Sequence, residues 1–113
     1  MAVSISPYAI NVADEVLNDL RRRLEMTRFP GQVSGTGWER GVDLEYMREL
    51  VDYWLHDYDW RRQETELNEY EHFKADVDGL GIHFIKQEGK GPNPMPLLMM
   101  HGYPWSFLLL LRI

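Results

Sequence analysis

Cysteine is absent from this sequence, which excludes a disulfide framework and any metal site built from cysteine pairs. No segment approaches the run of about 18 apolar residues that a membrane-spanning helix requires. Acidic residues outnumber basic ones by 18 to 12, and the net charge of −6 argues against a nucleic-acid partner. Residues 1–7 have neither a basic start nor a long apolar core, so they predict no secretory signal and no membrane anchor. We therefore expect a soluble, cytoplasmic protein that binds neither nucleic acid nor membrane.

Histidine is sparse as well, and the few histidines are not spaced as metal ligands usually are. There is no histidine pair at positions i and i+4 and no HExxH segment, so we expect no metal site. The alternating pattern around His83 predicts a side chain that faces solvent or makes a local hydrogen bond. A cluster of acidic residues is interpreted as a solvated surface rather than as acid–base pairs. Its members are Glu64, Glu66, Glu69 and Glu71.

The first two thirds of the chain has the periodicity of amphipathic helices. Asn11 is predicted to cap the first helix, whose apolar residues recur three or four positions apart until the segment 29–31 ends it. Asp43 is predicted to cap a second helix, which carries apolar residues at helical spacing over 44–55. A short third helix is expected at 61–67.

The pattern after residue 68 changes to the alternation typical of strands. Apolar and polar residues alternate over 73–77 and again from 82 to 86, and the Asp-Gly-Leu-Gly segment between them predicts a hairpin turn. Residues 96–100 are apolar throughout, as in a short strand covered on both faces. Residues 107–113 are apolar nearly all round and are interpreted as the start of a helix that must be buried.

The segment His101-Gly102-Tyr103-Pro104 lies between that predicted strand and that predicted helix. A strand, a tight turn and a helix together place backbone N–H groups where they can hold developing negative charge. Gly102 lets the backbone approach a ligand, and Pro104 is suited to a cis bond that turns the Tyr103 N–H towards the site. A plain β-turn after a core strand is the alternative. His101 is expected either to orient the loop through its ring nitrogens or simply to pack.

Several segments, in the same order, resemble the microsomal-type branch of the epoxide hydrolases, which have the α/β-hydrolase fold. The likeness covers almost the whole chain. The segments that carry it are 16–24 with 27–30, Trp38 and Gly41, 46–50 with Trp54, 58–61, 67–68, 78–85 and 101–104. The resemblance implies an α/β fold in two parts. A helical N-terminal meander, residues 1–70, precedes the first strands of the α/β-hydrolase sheet, the oxyanion loop and the start of a helix, residues 71–113.

The same resemblance implies a function and a set of site residues. In that family the His-Gly-x-Pro loop contributes one backbone N–H to the oxyanion hole, which assigns the donor to Tyr103, flanked by His101, Gly102 and Pro104. Trp105 is the implied substrate-binding residue. Members convert an epoxide and water into a vicinal diol through a covalent aspartyl ester, with a histidine that activates water and with neither a metal nor an organic cofactor.

Departures from the family pattern limit what this chain is expected to do alone. The family usually has a tryptophan and a small residue around the proline, whereas this chain has Tyr103 before it and Trp105 after it. The family's nucleophile, base and acid all follow the oxyanion loop, and none can be placed here. We expect an inactive isolated chain whose partners are an epoxide substrate and the remainder of the catalytic domain. The alternatives are another hydrolase with this loop, such as a haloalkane dehalogenase, and a non-catalytic helical module that binds a partner through residues 107–113.

Overall fold

The computed structural model describes residues 3–113 and divides them into two compact units. One unit, the sheet unit, combines the chain up to Ile10 with Leu67–Ile113, and the other, the helical unit, comprises Asn11–Glu66. Three α-helices and one three-stranded antiparallel sheet confirm the mixed α/β class that the sequence predicts. Within the described range, no helix combines the length and the apolar character needed to cross a bilayer.

The sheet unit is built on three antiparallel strands in the order β1-β2-β3. They span Ser4–Tyr8 (β1), His72–Val77 (β2) and Leu80–Ile85 (β3). The hairpin of β2 and β3 was predicted, whereas β1 was not. Its signal is the alternation of serines with apolar residues from position 3 onwards, which the proline obscures. Pro7 lies in an edge strand, where its missing N–H costs the sheet little.

The register of the strands gives the sheet one apolar face. Pairing places Phe73 opposite Phe84, with ring centroids 5.6 Å apart, and Ala75 opposite Ile82. Ala75 is buried, with 8% of its surface exposed. The two-residue turn uses Asp78 and Gly79, both at positive φ (53° and 81°), the conformation that Asp-Gly hairpins favour. The sequence therefore specifies this hairpin locally.

Asn68 extends the pairing of β1 and β2 beyond the end of the ladder. Its side-chain oxygen accepts the Ile10 N–H at 2.9 Å, and its side-chain nitrogen donates to the Ile10 carbonyl at 2.8 Å. The amide thus satisfies both backbone groups of Ile10, as a residue of a neighbouring strand would. This contact fixes the point at which the chain leaves β1 beside the point at which it enters β2.

Two elements predicted for the last part of the chain differ from the structure. Residues 96–100 join no strand ladder within the described range, and Leu98 and Met100 are 87% and 84% exposed. A strand needs a neighbour for its backbone hydrogen bonds, and these residues pair with none of the described ones. The predicted helix 107–113 is limited to the 3₁₀ helix Phe107–Leu110. A short apolar segment with little to pack against has insufficient support for an α-helix.

The helical unit contains three α-helices and a 3₁₀ helix. They span Asp14–Glu25 (α1), Leu44–His56 (α2) and Trp60–Leu67 (α3), with Gly37–Arg40 as the 3₁₀ helix. The apolar faces of α1 and α2 border an open groove of about 780 Å³. Its lining includes Leu20, Leu50 and Trp54, and the last two are more than 40% exposed.

The ends of α1 differ from the prediction. Its N-cap is Ala13 rather than Asn11, and no side chain caps it. The chain just before the helix is fixed instead by a carboxylate from α3, because Glu64 accepts the Val12 N–H at 2.7 Å. The helix ends at Glu25, before the predicted stop at 29–31. There Thr27 satisfies two carbonyls of the last turn, through its N–H and its hydroxyl.

Glu64 is a buried hydrogen-bonding centre, which corrects its interpretation as part of a solvated surface; the other acidic residues of that cluster are exposed. Only 8% of its surface is exposed, and it also accepts from Arg61 at 2.6 Å and from the Trp60 indole at 3.3 Å. Arg61 in turn pairs with Asp14 in the first turn of α1. The Val12 N–H, helped by Arg61 and Trp60, lowers the pKa of Glu64 against the opposing effect of burial. In its charged form, the Glu64 carboxylate therefore holds the start of α1 to α3.

Asp43 caps α2 as predicted, since its carboxylate accepts the Tyr46 N–H at 3.1 Å. Replacing Asp43 with Ala is expected to lower the free energy of unfolding by about 1 kcal/mol, because that N–H loses its acceptor. Urea denaturation followed by circular dichroism measures the change. Asn11→Ala is the matched control, and we expect it to alter stability by less than about 0.5 kcal/mol. Equal losses in the two variants would contradict this assignment of the cap.

Candidate oxyanion loop and its anchor

The loop His101–Trp105 is a tight turn closed by one backbone hydrogen bond. The Trp105 N–H donates to the Gly102 carbonyl at 2.8 Å, and the peptide bond between Tyr103 and Pro104 is cis, as the sequence suggested. His101 places Nδ1 at 3.3 Å from the Gly102 carbonyl, so one of its ring nitrogens does contact the loop. The four residues singled out in the sequence thus form one local structure.

The loop presents its backbone to open space. Tyr103 is 98% exposed and Trp105 is 63% exposed. A Cβ built on Gly102 would meet no atom within 4 Å. Among the described residues, none accepts a hydrogen bond from the Tyr103 N–H. This backbone donor is therefore available to an acceptor that approaches the loop.

The chain after the loop is anchored to the sheet unit by Phe107. Ser106 opens the 3₁₀ helix by accepting the Leu108 N–H at 3.4 Å, which orients the next residue. The Phe107 ring then meets two histidine rings edge-on, His83 with centroids 5.0 Å apart and His72 with centroids 6.0 Å apart. Such edge-to-face contacts are favourable for aromatic rings. Phe107 thus connects the loop to β2 and β3.

The two histidines under Phe107 form a hydrogen-bonded pair. His72 is 4% exposed, and its Nε2 lies 2.7 Å from the Leu67 carbonyl. Its Nδ1 lies 2.9 Å from Nε2 of His83. Burial and the neighbouring His72 both lower the pKa of His83. The predicted local hydrogen bond of His83 is confirmed, whereas its partner on the adjacent strand was not predicted. The signal for the pair was present, because hairpin register brings the two positions close together.

The described side chains are not arranged as a set of metal ligands. In the portion of the chain that the structure describes, no group of three or more histidine, aspartate or glutamate side chains is placed to hold a metal ion. The histidine pair has only two members, and one nitrogen of His72 is already bonded to a carbonyl. The described groups that converge near the loop are therefore hydrogen-bonding groups and aromatic rings.

Comparison of the sequence with protein families gives a match over most of the chain. The family model described as "Epoxide hydrolase N terminus" matches residues 5–110. A protein of Stigmatella aurantiaca is 41% identical over 109 residues, which is 96% of this chain and 25% of that protein. Epoxide hydrolase 1 of Oryctolagus cuniculus is 39% identical over 108 residues, 92% of this chain and 24% of its own length. The chain thus spans about a quarter of the length of these relatives.

Solved structures of epoxide hydrolases also match most of this chain. Juvenile hormone epoxide hydrolase from the silkworm Bombyx mori superposes with a TM-score of 0.83 at 31% identity, over 94% of this chain and 29% of that one. Epoxide hydrolase from Aspergillus niger superposes with a TM-score of 0.83 at 27% identity, over 93% of this chain and 28% of that one. The fold of the described residues therefore matches a limited part of each of these structures.

Proposed function

Because the chain belongs to the epoxide hydrolase N-terminal family, with relatives of the microsomal and juvenile hormone type, we propose that it supplies one oxyanion-hole donor to an epoxide hydrolase. The donor is the backbone N–H of Tyr103. The substrate is an epoxide, and the product is the vicinal diol formed by addition of water. The rest of the enzyme provides the nucleophile and the groups that activate water.

The observation that carries this proposal is the unpaired Tyr103 N–H at an exposed turn. A backbone donor of this kind stabilises an oxyanion only if no protein group occupies it beforehand. The open space beside Gly102 leaves room for a carbonyl oxygen to approach. In the resembled enzymes that oxygen is the carbonyl oxygen of the covalent ester. It becomes negatively charged when water attacks the carbonyl carbon. One such donor contributes about 3 kcal/mol to transition-state stabilisation.

The proposed macromolecular partner is the remainder of the catalytic domain. Residues 96–100 have strand-like composition and no strand neighbour among the described residues, and Leu98 is almost fully exposed. The groove along α1 and α2 is also apolar and open. Contiguous exposed apolar surface of this kind marks a site that another part of a protein covers. About three quarters of the length of the matched relatives lies outside the segment that this chain covers.

The experiment that tests the proposal compares this chain alone with the same chain in a complete enzyme. We expect purified residues 1–113 to give no turnover of styrene oxide above a heat-inactivated control, because the described residues supply a donor without a nucleophile facing it. A chimaera in which these residues replace the matching segment of the Oryctolagus cuniculus relative is expected to hydrolyse the epoxide. Diol formation by chromatography is the measurement.

Two outcomes would contradict the proposal. One is turnover by the isolated chain, because the nucleophile would then lie within it. The other is a chimaera that folds like the unaltered Oryctolagus cuniculus enzyme but forms no diol. That unaltered enzyme, assayed in parallel, defines full activity. Thermal unfolding of chimaera and parent separates a folding failure from a catalytic one.

A further inference from the structure

The His72–His83 pair has a proton arrangement that its neighbours restrict. The Leu67 carbonyl has no hydrogen to give, so Nε2 of His72 must carry the proton of that 2.7 Å contact. Nδ1 of neutral His72 is then an acceptor, and Nε2 of His83 donates to it across 2.9 Å. In this state His83 keeps one free ring nitrogen, its Nδ1.

The space between the two rings holds one proton only. One added proton leaves the bond between the rings intact whichever ring takes it, because the ring that stays neutral still presents an acceptor nitrogen to the N–H of the other. A second added proton places N–H groups on both Nδ1 of His72 and Nε2 of His83, and these point at one another. Two positive charges then also lie within hydrogen-bonding distance of each other. Double protonation therefore breaks the contact between the rings.

Phe107 depends on this contact because its ring packs against both imidazoles. The ring sits edge-on to His83 and to His72, at centroid distances of 5.0 and 6.0 Å. Separation of the two histidines removes the surface on which it rests. Phe107 follows Trp105 by two residues, so its contact with the two histidines fixes the end of the loop against the sheet.

We propose that the His72–His83 pair is a proton-dependent seat for Phe107, and that Phe107 is a positioning residue for the loop 101–105. While the pair holds no more than one extra proton, Phe107 is seated and the Tyr103 N–H has a fixed position. When both histidines are charged, the seat opens and the loop loses its anchor. The catalytic consequence rests on the function proposed above, whereas the seat itself does not.

The charged and titratable groups around the pair do not offset the repulsion between two protonated histidines. From β1, the Tyr8 ring lies 5.4 Å from the His83 ring. From β2, Lys74 is directly across from His83 in the ladder, and the end of its side chain reaches over Gly81 instead. The 3₁₀ helix Phe107–Leu110 has no titratable side chain, and Leu67 contributes only its carbonyl. Among the described residues, no carboxylate is hydrogen-bonded to either ring, so nothing there favours the doubly charged state.

The direction of the pKa shift agrees with the geometry. Burial, and then the charge of His72, lower the pKa of His83, so the folded chain binds this proton less readily than the unfolded chain does. The contribution of neutral His83 to the stability of the fold is present above the ordinary histidine pKa of about 6.5. It is lost as the pH falls through the lower pKa of the folded state. We therefore expect the seat to open on the acidic side of neutrality.

The test is a pH titration of the 113-residue chain by nuclear magnetic resonance. Long-range proton–nitrogen spectra report which ring nitrogens carry protons, and cross-relaxation between Phe107 and the histidine rings reports the seat. We expect the pair to take up two added protons in two separate steps. The contacts of Phe107 should persist through the first step and disappear with the second.

Two variants make the result specific. His83→Phe keeps an aromatic ring against Phe107 and removes the second titrating group, so the contacts of Phe107 should become independent of pH. His56→Gln changes an exposed histidine of the helical unit and should leave the titration as in the unchanged chain. Absence of Phe107 contacts at pH 7.5 would overturn the proposal. So would contacts that survive double protonation, or a single ordinary titration of both rings. None of these readouts requires turnover, so they are independent of the proposed enzymatic role.

Discussion

Removing one backbone N–H at Tyr103 is expected to reduce kcat of the chimaeric enzyme by about 100-fold or more. Incorporation of 4-hydroxyphenyllactic acid at this position converts the amide after Gly102 into an ester and leaves the side chain unchanged. The donor is then replaced by an oxygen that cannot donate. Because the N–H interacts with charge that develops only in the transition state, KM should change much less than kcat.

Two controls separate this effect from a general effect of the ester bond. Incorporation of glycolic acid at Gly91, in an exposed loop, makes the corresponding change from amide to ester there. This control should leave kcat within about threefold of the parent. Tyr103→Phe removes only the phenol hydroxyl and should also stay within about threefold, since the backbone and not the side chain is the proposed donor. Steady-state and rapid-quench kinetics on styrene oxide measure all three proteins. An ester at Tyr103 with parental kcat would remove this residue from the oxyanion hole.

Loss of the Glu64 carboxylate is expected to cause the largest fall in stability among single changes in the helical unit. Glu64→Ala leaves the Val12 N–H and the Trp60 indole without their acceptor and leaves Arg61 with Asp14 as its remaining partner. We expect the thermal midpoint to fall by about 10 °C. Glu64→Gln keeps an oxygen for the Val12 N–H but no charge for Arg61, so its midpoint should lie between those of the other two proteins.

The effect of Glu64 should also depend on pH, with a definite sign. Since folding lowers the pKa of this carboxyl, its contribution is present above the ordinary glutamate pKa of about 4.3. The contribution is lost as the pH falls through the lower folded-state value. The difference in midpoint between the parent and Glu64→Ala should therefore shrink on acidification. Glu66→Gln is the matched control, because Glu66 pairs with Arg62 at an exposed position and should change the midpoint by less than about 3 °C. A difference that stays constant down to pH 3 would contradict the role of the charge.

The sequence correctly predicted those elements whose deciding residues lie close together in the chain. Asp43 caps its helix because a carboxylate three residues before the Tyr46 N–H reaches it without help from the rest of the chain. The Asp78-Gly79 turn forms because both residues tolerate positive φ. The helical periodicity over 44–55 likewise predicted α2, which spans Leu44–His56. In each case the residues that decide the structure lie within a few positions of one another.

Predictions failed where a distant residue decides the structure. Asn11 has the chemistry of a cap, but Glu64, from α3, takes the neighbouring Val12 N–H. Burial of Glu64 could not be read from an acidic cluster, because only the fold brings Val12, Trp60 and Arg61 to it. Residues 96–100 have strand composition, yet a strand requires a partner that the described residues do not provide. At the candidate site the histidine pair under Phe107 was missed for a different reason, because the register of the predicted hairpin, which makes its two members neighbours, was not worked out.

The pairing of β1 with β2 has a consequence for the order in which the chain folds. Ser4 pairs with Asp76, so the whole helical unit lies between the two strands in sequence, whereas β2 and β3 are joined by a two-residue turn. Closing a long loop costs more entropy than closing a short one, and contacts distant in sequence form slowly. The hairpin is therefore expected to nucleate first, and β1 to add last. Prior folding of the helical unit assists this final step, because the bond between Val12 and Glu64 already brings its two ends together. A nascent chain accordingly completes its first strand only after its later ones have been synthesised.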